Sequence, residues 1–116
     1  MKKQYDFEYG SSEAFASFEV DTEIFTEKEA QSFLNFFVWS YDKEENPIDE
    51  AMRKYAISVI ECATFEDWNT RGVIDEFNNK EGYYKVDGSE GITLKYVERY
   101  EFEEENLTIK VKEVQS

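Results

Sequence analysis

QYDFEYGSSEAFASFEV, residues 4–20, decides the fold. Tyr5, Phe7 and Tyr9 alternate with Gln4, Asp6 and Glu8, the period of a strand with one buried face. Gly10, Ser11, Ser12 and Glu13 are turn residues. Alternation then resumes, with Ala14, Ala16, Phe18 and Val20 on one face and Phe15 on the other. Two alternating runs around a short polar turn predict a β-hairpin.

Helical spacing begins where alternation ends. Thr26-Glu27-Lys28-Glu29 is a capping box, in which Thr26 accepts from the N–H of Glu29 and the Glu29 side chain reaches back to the N–H of Thr26. Ala30, Phe33, Leu34, Phe37, Val38 and Tyr41 follow as an apolar stripe, broadened by Phe36 and Trp39. Asn46, Pro47 and Asp49 start a second helix. Its stripe is Ile48, Met52, Tyr55, Ala56, Val59, Ile60 and Ala63, with Ala51 at the edge. The two helices are expected as an antiparallel hairpin over one face of the sheet.

Phe65, Trp68, Val73, Ile74 and Phe77 predict a short third helix around 72–78, ended by Asn78-Asn79-Lys80-Glu81-Gly82. Ile92, Leu94, Tyr96, Tyr100 and Phe102 share one parity that Glu98 breaks, so a bulge near Val97–Glu98 is expected to turn Val97 inward. Leu107, Ile109 and Val111 alternate with Thr108, Lys110 and Lys112 and close a second hairpin. The expectation is one α+β domain over residues 1–116: a four-stranded antiparallel sheet of two hairpins, with the helices on one face, in the order β-β-α-α-(α)-β-β.

The chain has 27 acidic and 13 basic residues and a net charge of -14. Residues 1–42, 43–80 and 81–116 each hold nine acids, so the charge belongs to the whole domain and not to a tail. Ten Phe, eight Tyr and two Trp rule out an acidic disordered chain. Such a field repels nucleic acid and anionic membranes and attracts a basic protein surface. Solubility alone accounts for the same excess, and homodimerisation through an aromatic face or an exposed sheet is the alternative to a basic partner.

Chemistry is narrowed by what is missing. The chain has no histidine, which removes Ser-His-Asp and Cys-His catalysis and His-bearing zinc sites. Cys62 is the one cysteine, so no internal disulfide forms; its acidic neighbours Glu61 and Glu66 disfavour a thiolate, and it reads as a small buried hydrophobe. No phosphate-binding loop, dinucleotide fingerprint or calcium loop occurs, and no cofactor or metal ligand set is assigned. Adjacent carboxylates such as Asp75 and Glu76 leave a carboxylate-based divalent-metal binder as a remote alternative. The expectation is a non-enzyme. Two lysines at the start are not followed by an apolar run, and Phe33 to Trp39 is too short to span a bilayer, so a cytoplasmic protein is expected.

Interaction residues are expected in two places. The densest acidic run holds Glu98, Glu101, Glu103, Glu104 and Glu105, with Glu44, Glu45 and Glu66 as alternates. Tyr83 and Tyr84, in the irregular stretch 82–91, are candidate apolar anchors. Trp39 and Trp68 fit either core or interface. Asp87-Gly88-Ser89-Glu90-Gly91 has the small residues of an anion-binding nest but only Lys85 nearby, and reads as the turn before the strand at Ile92.

One resemblance spans most of the chain. Val20-Asp21-Thr22-Glu23, Thr26-Glu27, Asn35-Phe36-Phe37, then Glu81-Gly82-Tyr83-Tyr84, Asp87-Gly88-Ser89, Gly91-Ile92 and Glu101-Phe102-Glu103 resemble a small uncharacterised bacterial and phage domain carried by mobile elements. That resemblance implies no catalytic residues. It implies action on another protein, as is common among small accessory proteins of such elements.

Overall fold

The computed structural model describes residues 1–10, 14–36, 41–100, 108 and 110–112. Strands β1 (Lys2–Tyr9) and β2 (Ala14–Asp21) form the predicted hairpin, and helices α1 (Glu27–Phe36), α2 (Pro47–Phe65) and α3 (Thr70–Phe77) precede β3 (Ile92–Glu98). The described sheet is antiparallel, in the order β1-β2-β3. It has three strands and not the expected four. Of the fourth run, Leu107 and Ile109 lie outside the described residues, while Thr108 and Lys110–Lys112 carry no regular structure and Val111 is exposed.

The alternation in β2 is realised without a slip. Ala14, Ala16, Phe18 and Val20 are buried under the helices, and α2 contacts all three strands. In β3 the bulge falls at Ser17/Phe18 of its partner, where Ser17 pairs with Tyr96 and Phe18 with Leu94. Lys95 is therefore the extra residue, two positions earlier than expected. The consequence for Val97 is as expected, since it turns inward and is buried, but Tyr96 is pushed outside and is half exposed.

Local signals start the helices. The Thr26 hydroxyl accepts from the N–H of Glu29 at 3.3 Å, and Asn46 accepts from the N–H of Ile48 and of Asp49 at 2.8 and 3.3 Å, with Pro47 in the first turn. Asn69 caps α3 by accepting from the N–H of Gly72 at 2.9 Å. Every residue of the stripe expected for α2 is buried, Ala51 included.

α1 and α2 do not form the expected antiparallel hairpin. Asn46 donates its side-chain amide to Glu27 at 3.2 Å, so both helices begin at the same end. Tyr41, expected as a helical residue, lies outside α1, and its hydroxyl accepts from Gln31 at 2.7 Å. α1 is about 15 Å long, whereas the ten residues from 37 to 46 can reach about 33 Å, enough to return to its start. Phe37, Val38 and Trp39 lie outside the described residues. Phe36, expected to broaden the buried stripe, is exposed.

The core is built around Tyr55, which has no exposed surface. Its ring stacks on Phe33 at 4.5 Å and meets Phe18, Phe25 and Tyr83 edge-on. Its hydroxyl accepts from the N–H of Tyr84 at 2.6 Å and donates to the Tyr84 carbonyl at 3.2 Å. One side chain thus ties α2 to the loop that leads into β3.

Candidate protein-docking face

Helices cover one side of the sheet, and among the described residues none covers the other. The register assembles that open side row by row: Glu8, Phe15 and Glu98; then Asp6, Ser17 and Tyr96; then Gln4, Glu19 and Thr93; then Lys2 and Asp21. Of the residues opposite to the buried alternation of β2, Phe15, Glu19 and Asp21 are partly exposed on this side, and Ser17 is buried between its neighbours. Phe15 and Tyr96 touch across β2 and β3, with centroids 6.1 Å apart. Asp6 is held in place by the Ser17 hydroxyl at 2.7 Å and the Gln4 amide at 3.2 Å. Lys2 pairs with Glu19 at 3.6 Å. The two aromatic rings thus share their rows with Glu8, Glu98 and Asp6, with Glu19 one row further on.

Of the expected interaction residues, Glu98 belongs to this face and is exposed. Glu101, Glu103, Glu104 and Glu105 lie outside the described residues; in sequence they follow directly on β3. Glu44, Glu45 and Glu66 are exposed but lie off the sheet, in the connection before α2 and at the C-terminal end of α2. Phe15 and Tyr96 lie on this face and are not among the expected interaction residues. The signal for Phe15 was present, since it is the large ring on the wrong parity of a well-patterned strand.

Tyr83 and Tyr84 are placed elsewhere, against the helices. Tyr83 packs edge-on to Phe33, Tyr55 and Phe77, and its hydroxyl is 2.9 Å from that of Ser58. The Lys80 ammonium lies over the Phe77 and Tyr83 rings at 5.6 and 5.7 Å. Tyr84 packs on Phe25 and donates its hydroxyl to Glu29 at 2.7 Å. Both are half buried and pin the loop to the core. They also border an open cleft of about 600 Å³ with Ile24, Glu29, Phe36 and Glu90.

Desolvation, then the Glu29 carboxylate, pushes the Tyr84 phenol up to about 12. A raised folded-state value means that the unfolded chain ionises first. This contribution to stability is therefore complete below the ordinary phenol value of 10.0 and is lost as pH rises towards about 12. Denaturant midpoints measured from pH 9 upward should fall through that window. The fall should be shallower in Tyr84→Phe; an identical profile would remove Tyr84 as its source.

The remaining chemical candidates are structural. Asp87 accepts from the Ser89 N–H at 2.9 Å and hydroxyl at 2.6 Å, bonds that hold its carboxyl below the usual range. The N–H groups of Gly88 and Gly91 go to the Ile92 and Gly88 carbonyls, so the backbone donors of a nest are already used. Burial and then Glu76 push the Cys62 thiol up. Glu50 is buried at the start of α2, accepting from the Asp42 N–H at 2.9 Å and pairing with Arg53 at 3.1 Å. Asp49 accepts from the Tyr5 hydroxyl at 2.5 Å. Among the described residues no group of three or more His, Cys, Asp or Glu is arranged to hold a metal ion, and no helix is long and apolar enough to cross a membrane.

Comparison with protein-family models, with curated proteins and with solved structures finds no match to this chain.

Proposed function

We propose that this chain is a non-enzymatic interaction module whose open sheet face docks on a basic protein surface, of the kind that otherwise holds nucleic acid. The observation that carries the reading is the open face itself: Glu8, Glu98, Asp6 and Glu19, set by strand register, beside the half-buried Phe15 and the half-exposed Tyr96. Aromatic area at the centre with charge at the rim is the anatomy of a steered protein–protein contact. The acidic run from Glu101 to Glu105 follows β3 in sequence. The resemblance to mobile-element domains implies a target of the same kind, another protein.

The reading is tested by offering the heparin-retained basic proteins of a host extract to the immobilised chain, with duplex DNA as competitor. A captured protein should be released by DNA and by moderate salt. Reversal of Glu19 and Glu98 to lysine should slow its association about tenfold, with the circular dichroism unchanged. Capture that ignores both the reversal and the salt would remove this face as the docking surface.

A further inference from the structure

We propose that the outer edge of β1 pairs with β1 of a second copy of this chain, antiparallel and in one register, to make a continuous six-stranded sheet. This assembly is independent of any basic partner.

The two edges of the sheet differ. On β3 the outward groups have partners: the Ile92 carbonyl accepts from Gly88 at 2.9 Å, the Leu94 N–H donates to Val86 at 2.9 Å, and the Val97 N–H donates to the Thr70 hydroxyl at 3.2 Å. On β1 no described residue plays that part. Its outward groups can be identified. Thr22 donates to the Met1 carbonyl at 2.9 Å, while Asp21 donates to Gly91 on the other side at 2.8 Å. Antiparallel alternation then gives the odd residues of β1 to β2, and turns the N–H and C=O of Lys2, Gln4, Asp6 and Glu8 outward. β1 is eight residues long, pairs with β2 in unbroken register and contains no proline. Such an edge is a template for another strand.

Charge selects the occupant and the register. β1 begins Lys2-Lys3 and ends with Asp6 and Glu8, so it is complementary to its own reverse. Outward groups on even residues must meet outward groups on even residues. A two-fold centred on Tyr5 sets Lys2 opposite the partner's Glu8 and Gln4 opposite the partner's Asp6, each twice. It also sets Lys3 beside the partner's Phe7 and the two Tyr5 rings across from each other. A centre at Gln4 leaves Glu8 and Tyr9 beyond the ladder. A centre at Asp6 sets carboxylate against carboxylate, which is destabilising. The Tyr5 register is the longest with attractive pairs, and it gives the half-exposed Tyr5 and Phe7 rings cross-strand cover.

Sedimentation equilibrium at low salt over a wide concentration range tests this directly. The mass should rise from that of the 13.8 kDa chain to twice it. Lys2→Glu and Glu8→Lys should each raise the dimer dissociation constant about tenfold, since each change acts twice across the two-fold. The double swap K2E/E8K should recover most of that loss, which no effect on monomer folding would do. Gln4→Pro removes one outward N–H and should abolish the dimer while circular dichroism stays unchanged. A monomer at every concentration overturns the proposal. A dimer indifferent to all four variants overturns it too, because another face would then hold the copies together.

Discussion

Tyr55→Ala should cost about 5 kcal/mol, a third or more of the roughly 5–15 kcal/mol that holds a small domain folded. The ring is the hub of Phe18, Phe25, Phe33 and Tyr83, so its removal opens a cavity that four rigid rings cannot close. Tyr55→Phe separates the hydroxyl from the ring. It keeps the packing and strips the N–H and carbonyl of Tyr84 of their shared partner, for an expected loss of about 2 kcal/mol. Urea denaturation of the three proteins measures both steps. A Tyr55→Phe protein as stable as the parent would mean that the hydroxyl does not hold the loop.

Gly91→Ala is the second large effect, about 3 kcal/mol or more. Gly91 has φ +95°, and a Cβ there would stand 2.6 Å from the backbone nitrogen of Phe25 and 3.0 Å from Cβ of both Ile24 and Phe25. Backbone cannot step aside, and Gly91 also takes the Asp21 N–H at the entry to β3. Gly88 supplies the control. Its φ is +96°, but a Cβ would meet only the Thr93 hydroxyl at 2.9 Å, a side-chain atom that can rotate. Gly88→Ala should therefore cost less than Gly91→Ala. Equal thermal shifts would show that backbone conformation alone, and not contact with Phe25, sets the penalty.

Local code was legible in the sequence. The hairpin, the Asn46 and Thr26 caps and the whole buried stripe of α2 rest on interactions within a few residues, and the structure has them. What was illegible depends on contacts distant in sequence. The direction of α1 relative to α2, seen in Asn46 meeting Glu27, rests on packing between helices and not on local signals. The inward packing of Tyr83 and Tyr84 turns on Tyr55 and Phe33, far away in the chain. The bulge moved to Lys95 because pairing with Ser17 and Phe18 sets it, and hydrophobic parity cannot see a partner strand. The burial of Glu50 likewise depends on the fold, which brings the Asp42 N–H and Arg53 to its carboxylate. The docking face follows the same division. Its members were present as the polar parity of strands, but Phe15 meets Tyr96 only once the register is known.

The hydroxyl of Thr70 and the turn at Val86–Gly88 do more than finish β3. They make the sheet a chain terminator. In the proposed β1–β1 pair two such strands would be the outer margins, and their capped groups would oppose hydrogen-bonded growth beyond two copies. Thr70→Val, which deletes the acceptor and keeps the shape, would uncap one site on each margin, and higher-order aggregates are where the loss would be read.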